Sequence, residues 1–144
     1  MDMNTKELAH KWFEAVWNQK QSDTIFEMMD PSAEGVTEGG AIKGPEGFKT
    51  CLFDPLVTAF PDLKIELNGC IAEGDEVAVK WTVIATHSGP LMDLAPSGRK
   101  VKFSGISWIQ FKEGKIIAGS DSYNMHGLIG YLSEGKPCTS VMEA

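Results

Sequence analysis

Few side chains in this 144-residue sequence can carry a proton at neutral pH from inside a fold. His87 is one. It falls in phase with Val77, Val79, Trp81, Val83 and Ala85, which alternate with more polar or smaller partners, the two-residue period of a half-buried strand. An imidazole on that face has the right pKa range for proton transfer near pH 7. Its structural alternative is a strand-end histidine whose ring bonds the adjacent loop. Asp121 is the second. In strict alternation it shares a face with Ile117, Gly119 and Tyr123, opposite to Asn124, and reads as a catalytic carboxylate, as a surface or edge-strand charge, or as a partner to Arg99. A bulge would be needed to bring Asp121 and Asn124 into one cavity. Asn124 itself is either a pocket polar group or a residue that ends its strand by satisfying local backbone. Glu38, beside Gly39-Gly40, is a candidate for the mouth of a pocket. Tyr123, Trp17 and Trp108 read as core, as dimer interface or as surfaces on which a ligand would stack.

Other chemistries find less support. His10, His87 and His126 show no ligand spacing such as H-x-x-x-H, so a metal centre is not expected. His10 lies off the apolar stripe of its helix, and His126 precedes a turn glycine. The net charge of −7 comes without a basic stripe, which disfavours nucleic acid and anionic membranes as partners. Cys51, Cys70 and Cys138 are far apart and odd in number, as in reduced thiols of a cytoplasmic protein. The N-terminus has no apolar h-region, and no run approaches the ~18 apolar residues of a spanning helix. A cytoplasmic chain without a membrane segment is the expectation.

The elements that must position these residues follow from periodicity. Three long strands are expected within residues 76–124. The first leads to a Gly- and Pro-rich loop at 88–100; strands at 101–112 and 116–124 are separated by the turn Glu113-Gly114-Lys115. Short turns between long strands make antiparallel pairs, and a sheet this long twists and curls. Upstream, Asn4 or Thr5 caps a first helix, with Glu7 placed for a capping box. Leu8, Trp12, Phe13, Val16 and Trp17 form its apolar face. Ser22 opens a second helix. Gly44-Pro45-Glu46 opens a third, which Pro55 should kink or split near Asp54. Leu63, Ile65 and Leu67 alternate in another strand. Residues 127–132 close the domain, and 133–144 read as a mobile C-terminal tail. The order predicts one α+β domain over residues 1–132, with helices gathered on one face of a curved, mostly antiparallel sheet. Bulges around Gly105 and Gly119 would change which side chains face inward.

Several motifs together resemble one family. Gly44-Pro45-Glu46-Gly47-Phe48, Ala59-Phe60-Pro61-Asp62-Leu63, Thr86-His87-Ser88-Gly89 with Ala95-Pro96-Ser97-Gly98-Arg99, and Phe111-Lys112-Glu113-Gly114-Lys115-Ile116 look like the SnoaL-like polyketide cyclases of the NTF2-like superfamily. The resemblance covers residues 5–132. It implies a cone in which the curved sheet is wrapped by three N-terminal helices around an apolar cavity, and a homodimer, which an exposed sheet face carrying Trp81 or Trp108 also predicts because a second copy would cover it.

The chemistry it implies is ring closure by intramolecular aldol addition without a metal or organic cofactor. A carboxylate removes a proton α to a carbonyl, and polar neighbours hold the enolate. Family members end the last strand with Asp-x-x-Gly-Leu; this chain has Asn124 there, in Asn124-Met125-His126-Gly127-Leu128. An amide is no base at neutral pH, though it can hold an enolate. Asp121 or His87 is therefore the expected proton carrier and Asn124 the stabiliser. The expected activity is that of a cyclase, isomerase or dehydratase acting on a small hydrophobic carbonyl compound. The alternative is a ligand-binding or scaffold protein that kept the cone and lost the acid, whose cavity would hold no ionisable group with a displaced pKa.

Overall fold

The structure, a computed structural model, describes residues 4–144. Helix α1 (Thr5–Phe13) starts as the sequence dictates. Asn4 Oδ1 accepts the Glu7 N–H at 2.9 Å, and Asn4 Nδ2 donates to Glu7 Oε1 at 2.8 Å, closing a reciprocal cap. The helix continues through a π-helical turn, Glu14–Asn18, and buries Trp12, Phe13, Val16 and Trp17. Helix α2 (Asp23–Met28) follows. Helix α3 (Gly44–Phe48) passes through a second π-helical turn, Lys49–Phe53, into α4 (Asp54–Ala59). Pro55 thus falls in the first turn of α4, where its missing N–H costs little, and the wide turn just before it absorbs the mismatch expected as a kink.

Seven strands form one sheet: β1 (Met29–Thr37), β2 (Gly40–Lys43), β3 (Lys64–Glu73), β4 (Glu76–Thr86), β5 (Lys100–Lys112), β6 (Lys115–Tyr123) and β7 (Val141–Glu143). Their order is β2-β1-β6-β5-β4-β3, with β7 pairing β5, and only β1 and β6 run parallel. The result is the expected α+β arrangement, a curved, mostly antiparallel sheet with N-terminal helices packed on it. Helix α5 (Met125–Glu134) closes the chain's main body.

The two faces of the sheet differ as the alternation requires. On β4 the residues Val77, Val79, Trp81, Val83 and Ala85 point into the core. On the other face Ile84, Ile106 and Trp108 stand 48%, 52% and 49% exposed. Of the two tryptophans weighed for an outer face, Trp108 lies there and Trp81 is buried.

Two features depart from the local reading. The C-terminal residues, expected to trail as a tail, return to the sheet: β7 pairs with Val101–Phe103 of β5, and Val141 is buried. One apolar side chain in phase with the inner face is enough to dock so short a strand. The bulge between β5 and β6, expected around Gly105 and Gly119, lies two residues before Gly119, and none falls at Gly105. Pairing shifts between Gln110↔Ala118 and Phe111↔Ile116, which leaves Ile117 as an extra residue in β6. That insertion flips the phase, so Ile116 and then Gly119, Asp121 and Tyr123 all line the interior. Among the described residues no helix is long and apolar enough to cross a membrane.

Candidate functional site

Two apolar cavities lie between the helices and the inner face of the sheet. The first, about 550 Å³ including its mouth, is bounded by Trp12, Met29, Ala33, Ile42, Phe48 and Ile116 among others. The second, about 440 Å³, is bounded by Leu52, Leu56, Leu63, Trp81, Phe103 and Tyr123 among others. Phe13, Trp17 and Asp121 line both. Among the described residues Asp121 is therefore the one ionisable side chain that both cavities reach. The Ile117 bulge sets the phase that turns it inward, three residues before Asn124.

Asp121 is half-buried and lines both cavities. Burial pushes the carboxyl above the usual carboxylate range, because a low-dielectric surrounding disfavours the anion. A hydrogen bond from Ser107 opposes that shift without cancelling it: Ser107 Oγ donates to Asp121 Oδ1 at 2.5 Å. Ser107 in turn accepts the Trp81 Nε1–H at 2.9 Å. Tyr123 stands beside this group on the wall of the second cavity. Its phenol is pushed up to about 12, first by burial and then by the negative charges of Asp121 and Glu38. It stays protonated near neutral pH and can donate a hydrogen bond into the cavity.

The other expected site residues take different places. Trp17 is buried and lines both cavities. Glu38 lies outside the two linings; its Oε1 accepts the Tyr123 N–H at 3.1 Å and the Ser122 hydroxyl at 3.4 Å, and so ties the end of β1 to the end of β6. Asn124 caps α5: Oδ1 accepts the Gly127 N–H at 2.8 Å and Nδ2 donates to Cys138 Sγ at 3.6 Å. It is exposed and away from the cavities, as its phase opposite to Asp121 requires. Trp108 is on the outer face, donating to Glu76 Oε1 at 3.0 Å.

His87 is completely buried but lines neither cavity. Its ring packs on Phe60 at 5.7 Å, and Nδ1 accepts the Ser97 N–H at 3.1 Å and the Ser97 hydroxyl at 2.8 Å. A backbone N–H donor fixes Nδ1 as the acceptor, so the neutral ring carries its proton on Nε2, which has no hydrogen-bond partner. Burial lowers the pKa of this ring. A folded-state pKa below the unfolded value makes a contribution that is present above about pH 6.5 and is lost as pH falls through the folded value. Urea unfolding between pH 7.5 and 5 is expected to show stability falling with a slope approaching about 1.4 kcal/mol per pH unit from this group. His87→Gln, which keeps an acceptor for Ser97, should remove that component. An unchanged slope in the variant would mean that the buried imidazole titrates normally.

Sequence reasoning passed over Ser107 and the hydrogen-bonding role of Trp81. A signal was present: Ser107 is the polar residue in the buried phase Val101, Phe103, Ile109, Phe111 of β5. Only the register, which sets Ser107 against Asp121, turns that oddity into a site.

Comparison with known proteins agrees with this architecture. The profile of the SnoaL-like polyketide cyclase family matches residues 7–130. Aklanonic acid methyl ester cyclase AcmA of Streptomyces galilaeus is 25% identical over 125 residues, covering 85% of this chain and 87% of the relative. The crystal structure of AclR from Streptomyces galilaeus, provisionally described as a hydroxylase, superposes with a TM-score of 0.79 at 29% identity, over 90% of this chain and 81% of that one. A protein provisionally described as a SnoaL-like polyketide cyclase, from Jannaschia sp. CCS1, superposes with a TM-score of 0.83 at 20% identity, over 93% and 98% of the two chains. The cone of helices and curved sheet, with its interior cavities, is thus that of the SnoaL-like polyketide cyclase family, to which this chain belongs.

Proposed function

We propose that the protein is a cofactor-independent proton-transfer enzyme of the cyclase type, acting on a small hydrophobic carbonyl compound. The observation that carries this reading is Asp121, a carboxylate with a raised pKa enclosed at the junction of two apolar cavities. A base in such a place is matched to the removal of a proton α to a carbonyl. The α-proton passes to the carboxylate, the electron pair of the broken C–H bond moves into the enolate, and Tyr123 donates a hydrogen bond to the enolate oxygen. The enolate carbon then adds to a second carbonyl of the same molecule, and the resulting alkoxide takes the proton back from the carboxyl group. Asn124, expected as stabiliser, is a helix cap here, and Tyr123 fills that role. The ring-closing activity in the name of the 25% identical relative supports the reaction type.

The test is hydrogen–deuterium exchange at the α-carbon of a panel of polycyclic aromatic carbonyl ligands, with binding measured alongside. Tyr123→Phe is expected to slow exchange roughly 10²-fold, the scale of a lost oxyanion donor, while binding is kept. Binding without exchange in the parent would leave the ligand-carrier alternative standing in its place.

Two further expectations belong with this reading. The apolar outer face around Ile106 and Trp108 supports a homodimer, and a single-chain mass in solution would remove it. The free thiols of Cys51, Cys70 and Cys138 support a cytoplasmic location, to be checked by fractionation.

A further inference from the structure

Trp81, Gly105 and Tyr123 sit opposite one another on β4, β5 and β6. A Cβ on Gly105 would lie 2.5 Å from Trp81 Cζ2 and 2.6 Å from Cη2, so the indole occupies the space where a side chain of β5 would stand. The glycine thereby lets the indole lie across β5 and reach the hydroxyl of Ser107, two residues along. An indole N–H can only donate. Ser107 has one proton, and with its oxygen already accepting from Trp81, that proton points to Asp121 Oδ1. The first direction is fixed by the indole, and the second by the ionised carboxylate, which can only accept. No side-chain donor bonds the other oxygen, Oδ2, among the described residues.

We propose that Trp81 and Ser107 form a fixed donor relay that occupies Oδ1 of Asp121 and reserves Oδ2 as the atom that takes the substrate's proton. The proposal rests on the reading of Asp121 as the base and adds which of its atoms reacts and what holds it. Ser107 acts through Asp121 and is a positioning residue. Its second effect is on charge. A carboxyl surrounded by apolar groups tends to stay protonated, which would disable it as a base at neutral pH. Donation from a hydroxyl stabilises the anion, and an indole donating to that hydroxyl strengthens it as a donor. The relay therefore supports the ionised form where apolar walls oppose it.

The experiment combines two readouts on Ser107→Ala, Ser107→Thr and Trp81→Phe. One is the titration of the Asp121 carboxyl carbon by ¹³C NMR, which needs no substrate. The other is the pH profile of α-proton exchange. In Ser107→Ala both should move upward by about one to two pH units, the scale of a lost hydrogen bond to a charged group. Exchange at pH 7 should fall and recover at higher pH. Ser107→Thr keeps the hydroxyl and should stay near the parent. Trp81→Phe keeps the ring and loses the N–H, and should move the titration part of the way. An unmoved NMR titration in Ser107→Ala overturns the relay, as does a pH-independent loss shared equally by the Ala and Thr variants. Full exchange in Asp121→Asn would instead overturn the base assignment, a failure that the substrate-free titration keeps distinct.

Discussion

Asp121→Asn is expected to slow α-proton exchange by roughly 10²–10⁴-fold, the range of a lost general base, and to make the protein more stable at neutral pH. The two effects share one cause. The folded-state pKa of Asp121 lies above its ordinary value because burial disfavours the anion. A raised carboxyl pKa means that folding favours the protonated form. Its stabilising contribution is fully present below about pH 3.9 and is lost as pH rises through the folded value. At pH 7 the enclosed anion therefore weighs against the fold, and neither ion pair among the described residues offsets it: Lys49 pairs with Asp54, and Lys136 with Glu134. Asparagine removes the charge and keeps an acceptor for Ser107. The expected gain is on the order of 1 kcal/mol at pH 7, shrinking toward pH 4 as the parent's carboxyl protonates. Urea midpoints at the two pH values measure it. A variant that exchanges as well as the parent, or is less stable at pH 7, would show that Asp121 is a structural polar group.

That expectation could be framed only after the register was known, and the divide between legible and illegible features runs along sequence separation. Features decided within a few residues were readable. The Asn4–Glu7 cap needs only its own turn. The inward set from Val77 to Ala85 follows from a period of two, which also put His87 on the buried side. The family motifs led to the right fold. Features decided by distant pairing were hidden. Gly119 marks the neighbourhood, but nothing local singles out Ile117 as the extra residue in β6, since the bulge is defined against Gln110 and Phe111 on β5. Asn124 looked like a substitute for the family's acid because position along the chain was aligned; its side chain instead serves the first turn of α5. The return of β7 depends on Val141 meeting Phe103, 38 positions upstream in register. The burial of His87 was foreseen, whereas its separation from both cavities depends on where Phe60 and Ser97 close over it.

Gly105 is where these long-range constraints converge, and Gly105→Ala is expected to cost both stability and proton transfer. Its φ is not among the positive values, so backbone strain is no part of the argument. Space is. The added methyl would meet the Trp81 ring at 2.5 Å on one side and the Ser122 carbonyl oxygen at 2.6 Å on another. The carbonyl belongs to the β6 backbone and yields little, so the indole has to move. Trp81 is 6% exposed and packs against Phe103 at 6.1 Å and Tyr123 at 6.1 Å, and shifting it in a close-packed core costs about 1–3 kcal/mol. Its Nε1 leaves Ser107, so the titration of Asp121 should rise as it does in Trp81→Phe. The double variant Gly105→Ala/Trp81→Phe separates the two effects. The smaller ring relieves the clash on its side while the one with the Ser122 carbonyl stays, so part of the stability should return, giving a non-additive cycle. It supplies no N–H, so the raised titration of Asp121 should persist. Urea unfolding and the carboxyl NMR titration measure the two quantities on the same proteins. Recovery of both together would mean that the indole N–H contributes nothing to Asp121, and parent-like stability in the single variant would mean that the indole does not need the space that glycine leaves.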